Sequence, residues 1–271
     1  MGIIIGLDIG GSTTKIVGLR DRKTIGKELV TASDPLASAF GALGKLVSQN
    51  NLELQDIDRV MVTGVGATFL QKDLLGIPTE KAPEFRAIGL GGLYITGLND
   101  AIVVSMGTGT AIVRASPAGV QHVIGSGVGG GTLLGLSGRM INVRDFNLFT
   151  GMAEKGDLSR IDLSVGDISR EEIPGLSPDT TASNFGKTDD AATHEDIALG
   201  IVNLVFQSVG TAAVLATRIS GIRTIIFTGN LTLVSQGKRV LGSFSKLYQV
   251  DIVVPDSAEY ATAFGAALCH G

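Results

Sequence analysis

Ile3-Ile4-Ile5-Gly6-Leu7-Asp8-Ile9-Gly10-Gly11-Ser12-Thr13-Thr14-Lys15-Ile16-Val17-Gly18-Leu19 opens the chain and points to its architecture. Ile3 to Leu7 is a short apolar run and Lys15 to Leu19 alternates back as a second, which predicts two strands around a glycine turn. A strand ending in an acid and turning through two glycines offers bare backbone N–H groups to phosphate oxygens, and places Asp8 within reach of a hydrated Mg²⁺. The turn feeds a strand, not a helix, and its spacing is not that of a Walker loop, which separates it from dinucleotide folds and P-loops.

Two more glycine segments follow in order: Met106-Gly107-Thr108-Gly109-Thr110 and Gly125-Ser126-Gly127-Val128-Gly129-Gly130-Gly131-Thr132. Any one of the three is an ordinary turn; together they suggest a nucleotide phosphate held between two lobes. Between the first and second, helical spacing over Pro35 to Gln49 puts Leu36, Phe40, Leu43 and Val47 on one face, Arg59 to Thr63 reads as a buried strand, and Arg86 to Leu98 as a helix. Ala101 to Ser105 then starts a second lobe, in which Ile102 to Met106 and Ala111 to Arg114 flank Gly107-Thr108-Gly109 as another hairpin, a faint internal duplication. The expected division is therefore 1–99 and 100–271. The glycine run leads into Thr132 to Leu136, a helix with its amino end at the glycines, where anions are favoured. Glu195 to Ser220 is the longest helical candidate, its stripe of Ile197, Ile201, Leu204, Val205 and Val209 suited to core packing. Thr224 to Thr228 is a strand ending in Gly229-Asn230, where open α/β sheets bind ligands, and Val250 to Val254 is another before an Ala-rich helix around Ala263 to Leu268. Near Gly265 the small residues suit either a planar adenine or close helix packing.

Charge narrows the partners. The 22 basic and 26 acidic residues give a net −4 without a run of like charge, so neither a nucleic-acid surface nor a basic membrane patch is indicated. A single cysteine, Cys269, rules out a disulfide within the chain and a multi-cysteine metal site. No signal segment is read at the start and no uninterrupted apolar run approaches the roughly 20 residues of a membrane span, so a cytoplasmic protein is expected. Ser126, Ser183, His194 and His270 make no triad, which ranks hydrolase chemistry low. Asp189-Asp190 and Glu195-Asp196 read as a polar loop and a helix start.

The chain resembles the type II pantothenate kinases, of the acetate and sugar kinase, Hsp70 and actin superfamily. The resemblance rests on Asp8 to Lys15, Glu84-Phe85, Gly107 to Thr110, Gly129 to Thr132, Thr181-Ala182-Ser183-Asn184-Phe185-Gly186, Gly229-Asn230 and Gly265 to Leu268, and it runs over essentially the whole length. The first loop alone marks only the superfamily; the Thr-Ala-Ser-Asn-Phe-Gly segment and the triple glycine are narrower. The resemblance implies an α/β protein of two ribonuclease-H-like lobes of the actin-like ATPase fold with an interlobe nucleotide cleft. It also implies a homodimer and ATP-dependent phosphorylation of the primary hydroxyl of pantothenate or a related small alcohol, the first step of coenzyme A synthesis.

By that resemblance Glu84 is the base that takes the hydroxyl proton, although on its own it reads as an acid at a helix start. Gly10, Gly11, Ser12, Thr13, Thr14 and Lys15 should hold the ATP phosphates, with Asp8 positioning Mg²⁺ through water. Thr108 and Gly129, Gly130, Gly131 and Thr132 should complete the cradle. Phe146, Gly229, Asn230 and Gly265 should lie near the nucleotide, and Ser183 near the acceptor. One position departs from the family: where an arginine helps hold pantothenate, this chain has His122, which lacks the permanent charge and five-donor fork but can still donate one hydrogen bond to the acceptor. Arg86, Arg139 or Arg144 is a candidate substitute. The departure keeps open a different acceptor, such as a pantothenate amide, and a nucleotide-binding regulatory paralogue. A further alternative is an ATP-driven activator similar to the iron-sulfur activators of acyl-CoA dehydratases, for which Cys269 alone is a poor cluster ligand.

Overall fold

The opening hairpin forms as two antiparallel strands, β1 (Ile3–Ile9) and β2 (Thr14–Arg20), with Asp8 paired to Lys15 across the turn. The computed structural model describes residues 2–31, 33–171, 173–187 and 189–270. A third strand that the sequence did not suggest, β3 (Lys23–Val30), continues the meander. Helix α1 (Pro35–Gln49) starts where Asp34 accepts from Ala37 N–H and Pro35 occupies the first turn, a cap and a pre-set φ that favour initiation. Its buried stripe is Ala39, Ala42, Leu43 and Leu46, whereas Leu36 and Phe40 are exposed. The helix thus presents its small residues to the sheet, rotated from the face expected from the larger ones. Strands β4 (Ile57–Thr63) and β5 (Thr79–Lys81) run parallel to β1, and α2 (Glu84–Thr96) follows. This helix begins two residues earlier than the periodicity indicated, making Glu84 its first residue, and it ends at Gly97 in the left-handed conformation that glycine favours.

The second half repeats the plan. Strands β6 (Ala101–Met106), β7 (Thr110–Ser116) and β8 (Gly119–Ser126) form an antiparallel meander, followed by helices α3 (Gly130–Met140) and α4 (Phe146–Ala153). A small excursion contains β9 (Leu163–Ser164), α5 (Val165–Ile168) and β10 (Thr181–Ser183). Then come α6 (His194–Ser220), β11 (Thr224–Thr228), α7 (Ser235–Tyr248), β12 (Asp251–Val253) and α8 (Ala261–Leu268). The two five-stranded sheets have the same order, β3-β2-β1-β4-β5 and β8-β7-β6-β11-β12, with β11 and β12 parallel to β6. The duplication faint in sequence is complete in topology.

Helix α6 is long and apolar enough to cross a membrane by length and composition, but Ile201, Val205, Val209 and Ala213 are fully buried in the second core together with Phe149, Phe206 and Phe227. It is a core helix. The closing helices exchange partners: α2, which follows the first sheet, packs on β6, β7 and β8, while α8, which follows the second, packs on β1, β2 and β4. They cross each other at backbone contact. A Cβ on Gly91 would lie 1.8 Å from the Ala261 carbonyl oxygen, and one on Gly265 would lie 1.7 Å from that of Ala87.

Candidate active site

Four turns meet at the carboxyl ends of β1, β6, β8 and β11. At the tip of the first, Gly11 and Ser12 are exposed, and Gly10 N–H donates to the Thr13 carbonyl at 3.1 Å. The position of a Cβ on Gly11 would be 3.5 Å from Thr108 Oγ1 of the second turn, so the two hairpin tips oppose each other. The second and third turns are fastened together: Gly130 N–H donates to the Gly107 carbonyl at 2.8 Å and Gly131 N–H to that of Thr108 at 2.9 Å. These are two of the N–H groups expected to receive phosphate, and here they tie the α3 amino end to the β6–β7 turn, leaving Thr108 exposed above them. Thr132 Oγ1 closes the same turn by donating to the Gly127 carbonyl at 2.9 Å, and Gly129 N–H donates to Thr132 Oγ1 at 3.2 Å. The fourth turn, after β11, needs glycine: Gly229 has φ +91° and its Cβ would strike the Met106 carbonyl oxygen at 2.5 Å.

Thr13 joins the halves. Its Oγ1 accepts from Lys15 Nζ at 2.5 Å and from Asn230 Nδ2 at 3.2 Å, while Asn230 Oδ1 is buried with no partner among the described residues. Thr14, expected at the nucleotide, is instead buried, accepting from Ser38 Oγ of α1 at 2.7 Å. It anchors the loop from behind, because alternate residues of a strand face opposite sides.

Asp8 is half-buried at the end of β1, and burial pushes its carboxyl up to about 6, against the pull of Lys15 and with a further push from Glu84. The ammonium of the buried Lys15 is drawn down by burial, with Asp8 and Glu259 opposing. An acid whose negative charge is poorly compensated by its surroundings is a fitting donor for a cation. Thr63 was not anticipated: it pairs with Asp8 in register on β4, is buried, and its hydroxyl has no partner among the described residues. The only signal for it is the repeated Thr-Gly after an apolar strand, Thr63-Gly64 and Thr228-Gly229.

Glu84 is exposed at the first position of α2, and the next residue, Phe85, stacks on His122 with ring centroids 4.1 Å apart and planes 18° apart. His122 therefore sits beside Glu84 as a partner of its helix. Of the proposed substitutes for the missing arginine, Arg86 faces Cys269, whose thiol is raised by burial and drawn back by that guanidinium. Arg139 and Arg144 line a cavity of about 360 Å³ with Leu134, Gly135 and Gly138. Gly265 is buried in the α2–α8 crossing, so its missing side chain serves helix packing, and the expectation of an adenine there is corrected. Phe146 is half-buried at the start of α4, packed on the second core. Ser183 is exposed on β10, in a segment held by Asp162, which accepts from Asn184 Nδ2 at 3.1 Å, Asn203 Nδ2 at 2.5 Å and Phe185 N–H at 2.9 Å.

A family model described as Fumble matches residues 96–245. A type II pantothenate kinase of Staphylococcus aureus (strain USA300) is 28% identical over 236 residues, 83% of this chain and 84% of that one. Among solved structures, the activator of the 2-hydroxyisocaproyl-CoA dehydratase from Clostridium difficile with bound ADPNP aligns with a TM-score of 0.70 at 20% identity, over 98% of this chain and 93% of that one. A ROK hexokinase from Thermus thermophilus aligns with a TM-score of 0.58 at 12% identity, over 98% of each. At those identities the structural matches establish the fold, which is the two-lobed α/β architecture implied by the sequence resemblance.

Proposed function

The chain belongs to the Fumble family, and from that premise we propose that it transfers the γ-phosphoryl group of ATP to the primary hydroxyl of pantothenate, giving 4'-phosphopantothenate and ADP at the first step of coenzyme A synthesis. The observation that carries this reading is the opposition of the Gly11 and Thr108 turns beside Asp8, with Glu84 exposed at the first position of α2: two loops suited to phosphate, an acid suited to a cation, and an acid that the family resemblance makes the base. In-line transfer needs little more than positioning and charge balance. The acceptor oxygen bonds to the γ-phosphorus, the bond to the β–γ bridging oxygen breaks, and the hydroxyl proton passes to Glu84. Gly10, Gly11, Ser12, Thr13 and Thr108 line the phosphates, with Gly129, Gly130, Gly131 and Thr132 holding the Thr108 turn in place. Asp8 would hold a hydrated Mg²⁺, and the ion would supply charge that offsets the phosphate oxygens. Gly229 and Asn230 border the nucleotide, and the lobes divide near residue 99.

The same reading includes a cytoplasmic homodimer. Leu215 and Ile219, 58% and 81% exposed along α6, give a second copy an apolar surface to cover. The dehydratase activator likeness supports the fold, while the lone Cys269 gives a cluster of that kind no ligand set in this chain.

Purified protein with Mg·ATP and pantothenate, assayed for ADP and phosphopantothenate alongside Glu84→Gln, tests the reaction. Product made by the wild type, and lost in a variant that still binds ATP, supports reaction and base together. ATP binding without product transfers the reading to another acceptor or to a regulatory paralogue.

A further inference from the structure

Helix α2 delivers Glu84 to the cleft from its first position, yet its cap residue Pro83 offers no side-chain hydrogen bond to the helix start. First turns without such a bond fray readily. What braces this one lies on β8. Gly89 of α2 rides directly on Val120, where an added Cβ would be 2.6 Å from a Val120 methyl. One turn earlier on the same helix face is Phe85, and two residues later on the same strand face is His122. Val120 and His122 pair with Ala115 and Val113, residues of the core cluster that also contains Ile88 of α2. The helix and strand therefore match at two successive points, and the second is the Phe85–His122 stack at 4.1 Å and 18°.

We propose that His122 is a positioning residue for the base: its ring stacks on Phe85 and fixes the first turn of α2, so that Glu84, the first residue of that turn, keeps its place. The inference rests on the kinase reading given above and replaces direct acceptor binding by His122 with an action through Glu84. Strand β8 runs on through Ile124 and Gly125 to the glycine turn at the α3 amino end, so the stack ties the base to the same strand that carries part of the phosphate cradle. What the stack requires of residue 122 is a flat ring. Neither charge nor a hydrogen-bond donor is needed.

Steady-state kinetics with Mg·ATP and pantothenate on the wild type, His122→Phe, His122→Ala, Phe85→Ala and the double alanine variant test this directly. His122→Phe is expected to keep kcat and both KM values within about two-fold. Each single alanine variant should lose roughly ten-fold in kcat with little change in acceptor KM, as a small misplacement of a catalytic group costs rate rather than affinity. The double variant should be no worse than either single, since both remove one contact. Upfield ring-current shifts of the His122 protons in the NMR spectrum, present in the wild type and lost in Phe85→Ala, read the stack independently of turnover. His122→Phe raising acceptor KM about ten-fold while kcat holds would make His122 a direct ligand and overturn the proposal, as would the absence of those shifts. A wild type that binds ATP but makes no phosphopantothenate removes the kinase reading itself; active enzyme with full kcat in His122→Ala removes only the positioning role.

Discussion

The side-chain amide of Asn230 donates to the hydroxyl of Thr13 at 3.2 Å, across the gap between the end of β11 and the turn after β1. Because Lys15 Nζ donates to the same oxygen at 2.5 Å, both approaches to that oxygen are taken by donors, and the hydroxyl proton of Thr13 is left to point elsewhere. A phosphate oxygen is the acceptor it suits. Thr13→Val keeps the shape and removes the proton, and is expected to raise the KM for ATP about ten-fold, equivalent to one hydrogen bond to a charged group. Equal ATP affinity in the variant by calorimetry would take Thr13 out of the phosphate site.

Asp8 gives the metal-free protein a pH signature. Its folded carboxyl is raised from 3.8 to about 6, so folding favours the neutral acid. The stabilisation is complete below about pH 4, declines as the pH rises through 6, and is absent above; its full size is about 3 kcal/mol. Asp8→Asn keeps a neutral group at all pH values. In chelator-treated protein it should melt higher than the wild type at pH 8, by about 1–3 kcal/mol in stability, with the difference closing toward pH 4. Adding Mg²⁺ with nucleotide should raise the wild-type melting temperature at pH 8 by more than that of the variant. A gap that is constant with pH would mean that Asp8 titrates normally.

Local signals in the sequence carried the first hairpin, the extent of α1 and the glycine turn ahead of α3, because each depends on neighbours within a few residues. The face of α1 was misread because Leu36 and Phe40 outweigh Ala39 and Ala42 in hydrophobicity, while the close sheet beneath admits small side chains. Strand β5 is three residues long and α7 is polar overall with one buried stripe, Gln236, Gly237, Leu241 and Phe244, so neither produces a strong periodic signal. At the site, Asp8, Thr13 and Glu84 lie in recognisable motifs. Thr63, the Phe85–His122 stack and the use of Gly130 and Gly131 N–H groups depend on pairings between distant segments, which no local pattern encodes.

The α2–α8 crossing admits no side chain at two positions. At Gly91 and Gly265 an added methyl would overlap backbone carbonyl oxygens at under 2 Å, and backbone in the middle of two packed helices cannot yield as a flexible side chain does. Gly265→Ala should therefore cost about 3 kcal/mol or more, beyond the usual overpacking penalty, and lower the melting temperature by about 5 °C or more. Gly44, around which nothing lies within 4 Å, is the control: Gly44→Ala in the middle of α1 should be neutral or stabilising by up to about 1 kcal/mol. If Gly265→Ala melts with the wild type, the two helices do not meet as closely as described.

Asp162 holds the Thr-Ala-Ser-Asn-Phe-Gly segment to the long helix. Only 4% exposed, it accepts from the Phe185 backbone and from the amides of Asn184 and Asn203, and Asn203 also donates to Thr181 Oγ1 at 3.1 Å. The carboxylate thus fastens the Asn184-Phe185 turn that follows β10 to Asn203 of α6, which in turn holds Thr181. Phe185 sits at φ +53°, a left-handed conformation that a bulky residue adopts only when its surroundings enforce it, and the bond from its N–H to Asp162 is part of that enforcement. Asp162→Ala leaves three donors facing a buried gap and should cost about 2–4 kcal/mol. Asn203→Ala removes one donor and leaves the carboxylate two others, so it should cost about half as much. Chemical denaturation of the two variants checks the order, and proteolysis between 181 and 193 checks the place: Asp162→Ala should be cut there under conditions in which the wild type is intact. Equal costs for the two substitutions would show that Asn203, not Asp162, is the centre of the network.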